Sequence, residues 1–251
     1  MRRWIGIAVV IALPVSAATA DEIKVLSPGA VASSLRVLVP QFEQKTGHKV
    51  TVTYSPALAL VDRLKKGEAT DVAIFGDPAT DGLVKAGIIV PDSKIVLATV
   101  GVGVFVRRGD PKPDISSREA FGRAVLRAKI ISYSDPKLGG TAANYVGKLM
   151  ADLDITGSIG PKTHLTPPSK PLADFVASGA ADFGLNQITE VLQDQRLELV
   201  GPLPKEIQYY TRYAIAVLTA SAHRDAGKAL IGFLASEDAG AVMQSKGFEA
   251  R

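Results

Sequence analysis

Asn186 and Gln187 stand side by side where an apolar run ends. Each carboxamide can both donate and accept hydrogen bonds. The chain then turns at Gly201-Pro202-Leu203-Pro204 and returns through the aromatic run Tyr209-Tyr210-Thr211-Arg212-Tyr213. Two amides and a phenol converging from neighbouring strands would line a site for a small polar ligand. Related residue types recur wherever a β-rich run gives way to a helical pattern. These exits are Ser27-Pro28-Gly29-Ala30, Tyr54-Ser55-Pro56-Ala57, Phe75-Gly76-Asp77 and Ser134-Asp135-Pro136-Lys137-Leu138-Gly139-Gly140-Thr141. Backbone N–H groups at a helix start, aided by the helix dipole, bind anions without a charged side chain. Any one exit reads equally well as a cap or turn. Five in one α/β framework predict a small-anion site. The expected contacts are the backbone at Ala30 and Thr141, the side chains of Thr141, Asn186 and Gln187, and the Tyr213 hydroxyl, with Ser27, Ser55 and Gly76 beside them.

Other chemistries find no support. The chain has no cysteine, which excludes disulfides, thiolate metal sites and cysteine nucleophiles. His48, His164 and His223 are scattered without ligand spacing, so no metal is expected. No Gly-x-Ser-x-Gly elbow occurs. Gly101-Val102-Gly103 resembles the start of a dinucleotide fingerprint, but Val104-Phe105-Val106 continues a strand where a helix is required. No cofactor is expected.

The elements that must position these residues alternate. Strands are predicted at Ile23–Ser27, Val50–Tyr54 and Val72–Phe75, with helices over 30–46, 57–66 and 78–85 between and after them; Gly47, Gly67 and Gly87 follow these helices as stops. This is the signature of parallel βαβ units. A longer β-rich run, Val100–Arg107, breaks the pattern. A second block then follows, with helices over 118–127, 141–153 and 170–178 and strands over 129–133 and 182–186. Residues 213–219 read as a returning strand, and 223–235 and 236–244 as two closing helices. The expected architecture is α/β with two lobes: residues 21–103 and 205–251 form the first, 104–204 the second. Two strands, near Val104 and Leu203, would serve as the hinge, and ligands bind outside the carboxyl ends of the strands.

The N-terminus sets the compartment. Arg2 and Arg3, the apolar run Trp4–Leu13 and the small-residue site Ala18-Thr19-Ala20 read as a signal peptide over 1–20. The apolar run is shorter than the ~20 residues a spanning helix needs, so the mature chain is expected in the periplasm without membrane insertion. The formal net charge of +4 includes Arg2 and Arg3, which leave with the leader. No basic stripe with interleaved aromatics exists, so nucleic acid is not an expected partner.

The chain resembles the periplasmic molybdate-binding proteins. The resemblance rests on Gln41-Phe42, Gly67-Glu68-Ala69-Thr70-Asp71-Val72, Asp135-Pro136, Gly179-Ala180-Ala181-Asp182-Phe183-Gly184, Tyr213 and Gly247-Phe248. It implies a type II periplasmic binding protein fold, capture of a small anion, delivery to an ABC-type permease, a monomeric state, and Tyr213 as a ligand contact. The pocket chemistry departs from the family's pattern. Ala30 stands where a serine is usual, Ser55-Pro56-Ala57 replaces a serine-rich turn, and Asn186-Gln187 replaces a valine–tyrosine pair. These changes suit a small organic acid at least as well as molybdate. The chain is similar as well to aconitate isomerase, an enzyme branch on a related scaffold. Moving a double bond beside carboxylates requires one group to take and return a proton. Lys170, Glu190 and Tyr213 are the candidates, although Lys170 and Glu190 each read on their own as solvated helix surface.

Overall fold

A computed structural model describes residues 20–153, 156–167 and 171–249. The leader expected over 1–20 falls almost wholly outside the described residues, as does Lys170. Among the described residues there are nine strands: β1 (Glu22–Ser27), β2 (Lys49–Tyr54), β3 (Val72–Gly76), β4 (Ile95–Arg107), β5 (Ile131–Ser134), β6 (Thr163–Thr166), β7 (Phe183–Gln187), β8 (Leu197–Pro202) and β9 (Tyr210–Val217). The helices are α1 (Ala32–Thr46), α2 (Ala57–Lys65), α3 (Asp77–Lys85), α4 (Arg118–Arg127), α5 (Thr141–Asp152), α6 (Thr156–Ile159), α7 (Leu172–Ala177), α8 (Ile188–Val191), α9 (Arg224–Leu234) and α10 (Glu237–Ser245).

β4 organises the molecule. Its first half, Ile95–Gly101, pairs antiparallel with β9, which continues to β3, β1 and β2. Its second half, Val102–Arg107, pairs with β7 and β8, and β7 continues to β5 and β6. The change of partners falls between Gly101 and Val102, two residues before the position expected from sequence. The buried apolar side chains divide at the same place. Ile23, Leu35, Phe42, Ile74, Val100, Ile215 and Leu230 share one core. Val102, Phe121, Ile131, Val146, Leu185 and Leu203 share another.

Gln208 explains how the return crossing is held. Its side-chain oxygen accepts from Val102 N at 3.0 Å, and its amide donates to Val102 O at 3.0 Å. The carboxamide therefore stands in for a strand partner where β4 changes sheets. Gly101 is needed for this approach, since a Cβ there would meet Gln208 Nε2 at 3.1 Å.

Several boundaries differ from expectation. β4 begins at Ile95, not Val100, because Ile95, Val96 and Ala98 pair directly with β9, with a register shift at Leu97. β9 spans Tyr210–Val217, beginning three residues earlier than read from sequence, because Tyr210-Thr211-Arg212 pairs with Thr99–Gly101. β6 was not anticipated. It has four residues and one partner, β5, which leaves little periodicity to detect.

Candidate functional site

A cavity of about 690 Å³ opens between the two halves. That volume lies in the range of sites that take small organic molecules. It is lined from the first half by Gly29, Ala32, Arg36, Tyr54, Ser55, Gly76 and Tyr213. The second half contributes Asp135, Gly140, Thr141, Asn186, Gln187 and Glu190, among others. Six of the eight expected binding positions therefore meet in one cleft: Ser55, Gly76, Thr141, Asn186, Gln187 and Tyr213. Ser27 and Ala30 do not line it. Ser27 is fully buried with its hydroxyl donating to Pro28 O at 3.0 Å, and Ala30 is buried in the single turn that precedes α1. Their neighbour Gly29 takes the wall position.

Each strand exit delivers its residues for a local reason. Pro56 and Gly140 hold extended backbone before α2 and α5, so Ser55 and Thr141 face the cleft at the point where a helix begins. Gly76 lets the halves approach closely, because a Cβ there would meet Thr141 Cγ2 at 3.2 Å and Thr211 Cγ2 at 3.5 Å. β7 ends in Asn186-Gln187 and runs straight into the one-turn helix α8, which carries Glu190.

The amides are engaged with protein partners. Gln187 Nε2 donates to Thr141 Oγ1 at 3.2 Å and Thr211 Oγ1 at 3.0 Å. Its Oε1 accepts from the Tyr213 hydroxyl at 2.8 Å. Thr141 and Thr211 share a further bond at 2.9 Å. Gln187 thus ties β7 to β9 across the floor of the cleft, with both amide donors in use. Asn186 has a different task. Its Oδ1 accepts from Gln187 N at 2.8 Å and its Nδ2 donates to Glu190.

Glu190 is the residue whose environment departs most from a solvated helix surface. It is half-buried, lines the cleft and, among the described residues, has no cationic partner. Desolvation raises its pKa above the usual carboxyl value, and the Asn186 bond offsets only part of this. Tyr213 is raised too, first by burial and then by the charge of Glu190, with its bonds to Gln187 and Thr141 opposing. The floor of the cleft therefore favours neutral, proton-bearing forms of both groups. A neutral Glu190 can donate a hydrogen bond to an anion that an ionised one would repel.

Arg36 went unnoticed in the sequence. It lies one helical turn after Ala32, and that i, i+4 relation to the first exit was the available signal. Among the described residues no group of three or more His, Cys, Asp or Glu is placed to hold a metal.

Two βαβ-rich halves joined at β4 and at the return between β8 and β9, with a polar cleft between them, define a type II periplasmic binding protein fold. The chain belongs to the bacterial extracellular solute-binding protein family, which it matches over residues 23–249. It is 31% identical over 231 residues to an aconitate isomerase from Pseudomonas sp., covering 90% of this chain and 86% of that one. It is 24% identical over 238 residues to the molybdate-binding protein ModA of Azotobacter vinelandii, covering 92% and 91%. Among solved structures, the sulfate-binding protein SubI from Mycobacterium tuberculosis H37Rv superposes with a TM-score of 0.77 at 20% identity, covering 92% of this chain and 87% of that one. No helix among the described residues is long and apolar enough to cross a membrane.

Proposed function

We propose that this chain is a periplasmic solute-binding protein that captures a small carboxylic acid in the cleft and delivers it to an ABC-type permease. The leader over 1–20 exports it, and the mature chain works as a monomer. Lobes 21–103 with 205–251, and 104–204, close on the ligand about the two crossings. The observation that carries the reading is Glu190. A carboxyl whose burial favours its proton-bearing form, beside two amides in a cleft of about 690 Å³, suits an acid with several oxygens and a carbon skeleton better than a compact tetrahedral oxyanion. Thr141, Gln187 and Tyr213 already satisfy one another. Their donors are spent on one another, so an anionic ligand meets the backbone N–H groups at the start of α5, and Glu190. The test is isothermal titration of the mature protein with molybdate, sulfate and a series of carboxylates. Binding of carboxylates with no heat from molybdate or sulfate is expected. Tight molybdate binding alone would overturn the assignment.

A second reading is favoured by the same residue together with the 31% identical aconitate isomerase. Glu190 as a carboxylate would take a proton from a carbon next to a double bond. The electron pair shifts to move the double bond, and the same carboxyl returns the proton to the far carbon. One proton is removed and one returned, so no cofactor is needed. A raised pKa brings a carboxyl toward the working pH, where both steps run. NMR of cis- and trans-aconitate incubated with the protein in D2O separates the readings. Interconversion with deuterium incorporation, lost in Glu190→Gln, makes the protein an enzyme. Binding without interconversion leaves it a carrier.

A further inference from the structure

α1 puts one cation on the wall of the cleft. Arg36 follows Ala32 by one turn, and both line the cavity. It is the sole cation among the described lining residues, which include three carboxyls, Asp135, Asp194 and Glu190. Each of those carboxyls already has a partner. Asp194 is paired with Arg196, Asp135 accepts from Lys137 N at 2.9 Å, and Glu190 is bonded to Asn186. Arg36 has much less. Among the described residues its one hydrogen bond, to Gln193 Oε1, is 3.4 Å long, at the weak end for such a contact. A guanidinium carries five N–H donors in a planar fork that matches a carboxylate. Among the described residues most of them are unspent, on a side chain that lines the cavity. The charge is also felt inside. Burial raises the Tyr54 phenol above its ordinary value, and Arg36 offsets part of that rise.

We propose that Arg36 binds an anionic group of the ligand and so selects acids that carry at least two such groups, one held deep in the cleft and the second at Arg36. The proposal rests on the carboxylate reading above. It accounts for a cation left nearly unpartnered beside three partnered carboxyls.

The experiment compares propionate, succinate and tricarballylate, which carry one, two and three carboxylates. Each is titrated calorimetrically into the wild type, Arg36→Gln and Arg36→Lys, with sulfate as the reference anion. The wild type is expected to bind succinate or tricarballylate more tightly than propionate. Arg36→Gln should weaken the multivalent acids about ten- to a hundred-fold, the range for losing a charge-assisted hydrogen-bonded contact, and propionate by less than about twofold. Arg36→Lys should recover part of the loss, because it keeps the charge without the fork. Arg36 is exposed, and a melting temperature unchanged in both variants confirms that they fold. Equal weakening of all three acids, or none, overturns the role of Arg36 while leaving the carboxylate reading intact. A wild type that binds sulfate and no carboxylate overturns both.

Discussion

Glu190 shows how a single carboxyl can set the pH behaviour of a site. Its folded-state pKa is raised above the unfolded value, chiefly by desolvation. The native state therefore holds a proton that the unfolded chain releases near the ordinary carboxyl range. By linkage, stability falls as pH rises from that range through the raised pKa, and is level on either side. Glu190→Gln removes the titration and keeps an oxygen to accept from Asn186. Its melting temperature should match the wild type well below the ordinary carboxyl pKa of about 4.3, where folded and unfolded wild type both hold the proton, and exceed it at higher pH. Thermal melts across that range check this, and a constant offset at every pH would refute it. Asn186→Val should move the wild-type transition upward, because the Asn186 bond is the one contribution that lowers the Glu190 pKa. The place of Asn186 at the cleft was legible in the sequence, but its bond to Glu190 was not. An acid four residues after a strand end looks like any wet helix residue until the one-turn α8 is seen to face the cleft.

At the scale of elements, β4 depends on positions without side chains. A Cβ on Gly103 would meet Ile188 Cγ1 at 2.8 Å, Leu199 Cδ1 at 2.9 Å and Gly201 O at 3.2 Å. Backbone is among these neighbours, so the site has little room to give. Gly103→Ala should cost about 1–3 kcal/mol by overpacking, which lowers the melting temperature by several degrees in a chain of this size. Gly122, inside α4, is the control. A Cβ there meets nothing within 4 Å, and Gly122→Ala should stabilise by about 0.5–1 kcal/mol through helix propensity. Calorimetric scans of the two variants should therefore move in opposite directions. The alternation of strands and helices could be read because periodicity and stop glycines are local signals, as at Gly47, which caps α1 at φ 81°. What Gly103 packs against was not legible, because Ile188 and Leu199 come from distant parts of the chain. Arg36 escaped for a similar reason: a charge on an amphipathic helix does not declare which wall it will face.

At the scale of the whole molecule, the two halves touch at the mouth of the cleft as well as at its floor. Leu58, in the first turn of α2, is 47% exposed. It lies against Gly139 of the other half, close enough that a Cβ on Gly139 would meet Leu58 Cβ at 2.9 Å. Gly139 has φ +75°, which a side chain would strain, and glycine there also clears the path for Leu58. On the proposed closure about the two crossings, this contact between the halves would be lost on opening, whereas the Gln208 clamp on Val102 sits at the crossing and would persist. Leu58 should therefore act on the balance between open and closed forms and little on folding. Leu58→Ala keeps the Cβ nearest Gly139 and removes the branched carbons beyond it, a half-exposed apolar group worth about 1 kcal/mol. Apparent affinity scales with the population of the binding-competent form, so tricarballylate should bind about fivefold more weakly, mainly through faster release. Global stability should stay within about 0.5 kcal/mol, as for other surface substitutions. Stopped-flow release rates and thermal melts measure the two effects separately. Small-angle scattering adds the geometric readout, with the ligand-free variant more extended than the wild type and ligand drawing both to one compact form. If Leu58→Ala lowers the melting temperature and leaves release unchanged, the contact belongs to a rigid core, and closure about β4 is not how this cleft takes its ligand.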